Sequence, residues 1–199
     1  MGSIRRIAAV SAVGAALAVA GATAATAQAA ATTTTPAAAT SQHGEGLSMK
    51  IVGFNPAIAK AHGYEIRTDA QGRQYSVKIG AKGAAAAVTP DNSLSGNCGT
   101  SYVWYSAIGN QAATLDTGFS GLPEPAIAYT WKVSVTDAVG TGVVSWSGGL
   151  ALRASWEGTS VTHHSTTGYS YAKVTTGLVT LDDGTYCATL QPSASTTLY

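Results

Sequence analysis

His163-His164 is the one histidine cluster in the chain, and Asp182-Asp183 is a pair of adjacent carboxylates near its end. A histidine oriented by a carboxylate beside a hydroxyl is the working core of many hydrolases. His163 or His164 with Asp182 or Asp183 and a nearby serine would therefore make a small extracellular hydrolase. Metal binding is a poorer use of the same residues. Neighbours on a strand point to opposite faces, so His163 and His164 cannot easily chelate one ion. Glycoside hydrolysis needs two carboxyls about 5–10 Å apart across a substrate, and adjacent residues in a turn do not supply that. A surface calcium held by the two aspartates and backbone carbonyls is a lesser alternative. No residue is therefore assigned to catalysis, to a cofactor or to a metal.

The aromatic residues say more. Ten tyrosines and tryptophans, from Tyr102 to Tyr186, include all four tryptophans. Most belong in a core, because Trp and Tyr bury large areas. Some remain to form a flat platform for sugar rings or a protein partner. Tyr169 and Tyr171 share one strand parity beside small polar residues and are the first candidates. Trp156, near a turn, is the next.

The elements that must position these groups are strands. In residues 127–137, Ile127, Tyr129, Trp131, Val133 and Val135 fall on one face and polar residues on the other. Val144, Trp146, Leu150, Leu152, Ala154 and Trp156 repeat the alternation, with Gly148-Gly149 marking a bulge or bend. Residues 101–108, SYVWYSAI, are apolar on both parities and are expected to be covered on both faces. Further strands are expected near 112–119, 159–165, 168–175, 177–182 and 185–191. Upstream, Asn55-Pro56 reads as an N-cap and first helical position, with a short helix to His62 and Gly63 as its C′ residue. A hairpin over Tyr64–Thr68 and Arg73–Ile79 follows, turning at Gly72.

The chain ends bound the setting. Arg5 and Arg6, an uncharged apolar run from Ile7 to about Ala22, and Ala27-Gln28-Ala29 read as a signal peptide over residues 1–29. Residues 30–48 are an Ala/Thr-rich leader whose small side chains bury too little to offset the entropy of ordering. The block 49–80 holds the helix and hairpin, 81–97 is a small-residue linker, and 98–199 is the main β domain. Loss of the signal peptide takes Arg5 and Arg6 from eleven basic residues, leaving nine against ten acidic ones. Nothing in that balance makes a basic footprint for nucleic acid or a polybasic membrane patch. No later segment is apolar enough to anchor the chain in a bilayer. Cys98 and Cys187, exported together, are expected to form a disulfide.

Three stretches resemble known families. Asp182-Asp183-Gly184-Thr185-Tyr186-Cys187 resembles the immunoglobulin tyrosine corner, but Cys187 comes one residue early, so Tyr186 and Cys187 face opposite ways. Gly96-Asn97-Cys98-Gly99-Thr100-Ser101-Tyr102 resembles the papain-type nucleophile segment, with Ser101 at the nucleophile position. The Ala/Thr leader, the Arg5-Arg6 start and the block NPAIAKAHGYEIRTDAQGRQYSV resemble uncharacterised secreted proteins of high-GC Gram-positive bacteria, a class that brings no activity with it. The chain has no G-x-S-x-G, P-loop, G-x-G-x-x-G or H-E-x-x-H motif.

The expectation is an all-β protein: an antiparallel β-sandwich or small barrel with one disulfide, preceded by a short helix and β-hairpin. It would be a secreted, extracellular or cell-wall-associated binding module for polysaccharide, cell-wall material or another protein. A hydrolase and a self-assembling surface protein are the alternatives.

Overall fold

The computed structural model describes residues 46–80 and 97–199. The signal peptide, nearly all of the leader and the linker over 81–96 lie outside the described residues. The fold is all-β and antiparallel, with a disulfide between Cys98 and Cys187. Among the described residues no helix is long and apolar enough to cross a membrane.

The first strand, β1 (Leu47–Phe54), is one the sequence pattern did not single out. It lies between two much later strands, pairing Met49 with Thr189 and Leu47 with Ser101. Leu47 and Ser48 are thus strand residues and not leader, and the block 49–80 begins inside the main sheet. Helix α1 (Pro56–Ala61) follows as expected, with Asn55 Oδ1 accepting from the Ala57 and Ile58 amides at 3.0 and 3.2 Å. Asn55 also ties the helix to the sheet: its Nδ2 donates to the Tyr186 hydroxyl at 2.9 Å and its amide to the Gly184 carbonyl at 2.7 Å. Gly184 sits at φ +86, and a Cβ there would strike the Asn55 carbonyl and Ala59, so the turn and the helix dock only around glycine. Strands β2 (Tyr64–Thr68) and β3 (Gln74–Lys78) form the expected hairpin as a separate two-stranded sheet. The Ser76 hydroxyl donates to the Asp183 carbonyl, anchoring the hairpin to the main sheet.

The remaining strands are β4 (Thr100–Gly109), β5 (Ala112–Ser120), β6 (Ala126–Thr136), β7 (Thr141–Arg153), β8 (Trp156–His163), β9 (Gly168–Leu181), β10 (Thr185–Thr189) and β11 (Ser193–Leu198). The sheet runs β7-β6-β9-β10-β1-β4-β5-β8, with β11 added on β9. It curls until β11 meets β4, where the Ala107 amide donates to Thr196 Oγ1 and the Gln111 amide to the Tyr199 carbonyl. β7 and β8 are left at the two ends of the path, so the barrel is nearly closed.

Three sequence expectations change here. The strands expected at 168–175 and 177–182 are one long strand, because Gly177 is not a break. It leaves room for the Trp131 ring, which a Cβ would meet at 2.7 Å. Leu152 leaves the inward parity: the β6–β7 register shifts after Gly149, and Leu152 turns out to solvent at φ +54. Finally, 101–108 is covered on one face only. Ser101, Val103 and Tyr105 point into the core, while Trp104 and Ile108 are 43% and 54% exposed. Cys187 is buried and Tyr186 half-buried on the opposite parity, as the early cysteine requires.

Candidate functional site

Strand β8 ends at His163, which is exposed, and the chain turns so that His164 faces inward with its side chain 6% exposed. His164 Nδ1 lies 2.7 Å from Asp137 Oδ2. Asp137 follows β6 and is fixed by its own turn, its Oδ1 accepting from the Val139 and Gly140 amides at 2.8 and 2.9 Å. On the other ring edge, His164 Nε2 is 2.8 Å from the Tyr105 hydroxyl and 3.0 Å from Thr162 Oγ1. The Tyr105 hydroxyl continues to Ser170 Oγ at 3.0 Å, and Ser170 donates to the Thr136 carbonyl. One polar chain thus joins β4, β6, β9 and the end of β8.

The carboxylate beside His164 is therefore Asp137, and not Asp182 or Asp183. Those two sit in the β9–β10 turn, where Asp183 accepts from both the amide and the hydroxyl of Thr185 at 2.9 Å. The Asp137–His164 pair has the outline of a catalytic dyad, but its free edge is spent on buried hydroxyls. Tyr105 is 1% and Ser170 0% exposed, so no substrate carbonyl can approach them. The arrangement suits a polar staple. Outside it lies a groove of about 420 Å³ walled by Val139, Val143 and Val161.

The hydrogen bond from His164, then those from the Val139 and Gly140 amides, hold the Asp137 carboxyl below its ordinary value of 3.8. A depressed carboxyl stabilises the fold above its unfolded value, and that stability is lost as pH falls through the lowered folded value. The Tm of the wild type should therefore exceed that of Asp137→Asn at pH 7, and the gap should close below about pH 3.8. A gap independent of pH would contradict this.

Asp182 behaves in the opposite sense. Burial, then the neighbouring Asp183 charge, raise its carboxyl, and its Oδ1 is buried without a hydrogen-bond partner. Glu124 is raised by burial and by the same two aspartates. A raised carboxyl favours the fold most at low pH, and that contribution disappears as pH rises through the folded value. Asp182→Asn is accordingly expected to raise Tm at pH 7 and to leave it unchanged in acid; a drop at pH 7 would refute the reading. Among the described residues no three His, Cys, Asp or Glu side chains converge to hold a metal.

The platform residues separate. Trp156 points inward, opposite buried Phe119, with its ring 4.4 Å from Tyr129, 5.9 Å from Trp131 and 5.8 Å from Trp146. It packs against the core beside β7, with its remaining exposed edge in a depression shared with Tyr102, Arg153 and Glu157. Tyr169 and Tyr171 do point outward from β9, Tyr169 at 65% exposure. They line a shallow depression of about 610 Å³ with Thr136, Ala138, Thr167 and Gly168.

A second aromatic face was missed. On the outer side of β4, Tyr102 and Trp104 lie with ring centroids 5.0 Å apart, tilted by 35°. Tyr102 lies down across β5 over Gly118, where a Cβ would meet its phenol oxygen at 2.8 Å and Cζ at 3.0 Å. Glycine at 118 is what lets the ring lie along the sheet. Burial, then the Glu157 charge and the hydrogen bond to it, push the Tyr102 phenol up to about 12, so it stays a donor to Glu157. Asp116, paired opposite Trp104, accepts from Thr159 Oγ1 at 2.7 Å. Arg153 borders the same surface in a depression shared with Tyr102 and Glu157. The sequence held one signal for this face: Asp116 shares the parity of Gly118, opposite to buried Leu115 and Phe119, so whatever pairs with Asp116 must also face outward.

No family model matches this chain, and no curated protein and no solved structure matches it.

Proposed function

We propose that this protein is an exported module that binds polysaccharide on the outer face of β4, β5 and β8. The observation that carries the reading is the Tyr102–Trp104 pair on the outer side of β4, with Tyr102 laid along the sheet and Asp116, Glu157, Thr159 and Arg153 at its borders. Pyranose rings present apolar C–H faces that stack on aromatic rings, and hydroxyl edges that bond to carboxylates, hydroxyls and guanidinium groups. This surface offers both kinds of partner side by side. Two rings side by side on one strand face favour a β-linked polymer, whose sugar faces form a continuous ribbon. Export is supported by Arg5-Arg6, the apolar run after it, Ala27-Gln28-Ala29 and the single disulfide.

The test is retention of the exported protein on insoluble chitin, cellulose and peptidoglycan. Retention is expected on at least one. Trp104→Ala should weaken it about tenfold, the effect of losing one aromatic stack worth roughly 1.5 kcal/mol. The proposal fails if none of the three retains the wild type, or if Trp104→Ala binds as well as the wild type.

A further inference from the structure

Strands β4, β5 and β8 lie side by side, and their register fixes which outward residues are neighbours. Tyr102, Gly118 and Glu157 form one row across the three strands, and Trp104, Asp116 and Thr159 form the next. Residues paired directly across an antiparallel sheet hold their Cβ atoms about 5 Å apart, so the Asp116 carboxylate stands beside the exposed Trp104 ring. Asp116 accepts from the Thr159 hydroxyl at 2.7 Å. A carboxylate has about four acceptor sites, so one hydroxyl leaves most of its capacity unused.

The charge on this face has one sign. The three strands contain no lysine and no arginine, and Asp116 and Glu157 are their only carboxylates. Among the described residues the ion pairs join Arg67 to Glu65, Arg73 to Asp69 and His164 to Asp137, so neither Asp116 nor Glu157 is neutralised. Arg153 borders the Tyr102 row, where Glu157 already takes the phenol hydrogen. His163 ends β8 four residues past Thr159, which is about 13 Å along the strand. Asp116 therefore faces the ligand side with no cation of its own row.

We propose that the polymer bound here is an amino-sugar polymer with free ammonium groups, one of them seated between Asp116 and the Trp104 ring. The proposal rests on the sugar-binding reading of this face and names the class of sugar within it. An indole face attracts a cation, and a carboxylate accepts charge-assisted hydrogen bonds from it. Both groups act on the same ammonium. A sugar with a hydroxyl or an acetamide in that place keeps the ring stacking and loses both charge contributions. A sugar carrying a carboxylate would be repelled by Asp116.

The experiment compares three β-linked hexasaccharides that differ only at the second carbon of each ring: glucosamine, N-acetylglucosamine and glucose. Calorimetric titration at about pH 5.5 keeps the sugar amines protonated and Asp116 ionised. Wild type should bind the glucosamine form about tenfold more tightly than the other two. Added salt should shrink that advantage. Asp116→Asn, which keeps an acceptor for Thr159, should erase it, with circular dichroism and Tm at pH 7 showing that the variant is folded. Wild type that binds the glucosamine form no more tightly than the others, or an advantage that survives Asp116→Asn, overturns the amino-sugar proposal alone. Binding to none of the three, together with no retention on any solid, removes the sugar-binding reading as well.

Discussion

Replacing Cys98 and Cys187 by serine, or reducing the bond between them, should cost the protein about 4–5 kcal/mol of unfolding free energy. The bond joins two cysteines with a sequence separation of 89, and chain entropy sets that size of effect. Both cysteines are fully buried. Cys98 lies two residues before β4, its amide bonded to the Met49 carbonyl, and Cys187 is paired with Ile51. The disulfide therefore fastens the start of β4 to β10 across β1. Without it, the chain from Cys98 to Cys187 must be closed by sheet pairing alone, and β1, which bonds only two residues of β4, loses its clamp. For a domain of this size the loss corresponds to a fall in Tm of about 10–20 °C. Thermal melts with and without reductant measure it. A Tm that does not move on reduction would show that the sheet needs no staple.

Trp131→Ala should have an effect of similar size, about 3–5 kcal/mol, as the largest fully buried side chain. Its ring packs 5.7 Å from Phe119 and 5.9 Å from Trp156 and fills the space over Gly177. Its Nε1 donates to Thr117 Oγ1 at 2.9 Å, and Thr117 in turn donates to the Tyr102 carbonyl. The alanine variant therefore opens a cavity and removes the one donor to the buried Thr117 oxygen, which keeps its own bond to the Tyr102 carbonyl. Trp131→Phe keeps most of the volume and should recover more than half of the loss. Urea unfolding of the two variants separates them; equal midpoints for Ala and Phe would mean that the cavity is not what costs.

How much of this was legible follows from what each residue must satisfy. The alternation of Tyr129, Trp131, Val133 and Val135 gave β6 its inward face, because a sheet with one wet side leaves little choice of parity. Asn55-Pro56 marked the helix start because the capping bonds are local. The disulfide was readable from two cysteines and an export signal. What escaped depends on partners distant in sequence. β1 carries Val52 at a register shift, so nothing local marks it as the neighbour of β10, more than 130 residues away. β11, Ser193–Leu198, is mostly serine and threonine and is a strand because β9 offers it a free edge. The carboxylate that meets His164 comes from the β6 turn, 27 residues earlier, and no spacing rule pointed there. Tyr102 and Trp104 were hidden by the apolar residues that alternate with them, and only their pairing with Gly118 and Asp116 shows that they look outward.

The most direct test of the central claim asks whether sugar covers Trp104. Of the four tryptophans, Trp131 is buried, Trp146 and Trp156 are half-buried, and Trp104 is the one that is substantially exposed. Acrylamide quenching of tryptophan emission should therefore be dominated by Trp104. Saturating soluble oligosaccharide of the retained polymer should reduce that quenching in the wild type and leave Trp104→Phe unaffected. Quenching that is the same with and without oligosaccharide, under conditions where the protein is bound, would place the ligand elsewhere and contradict the account.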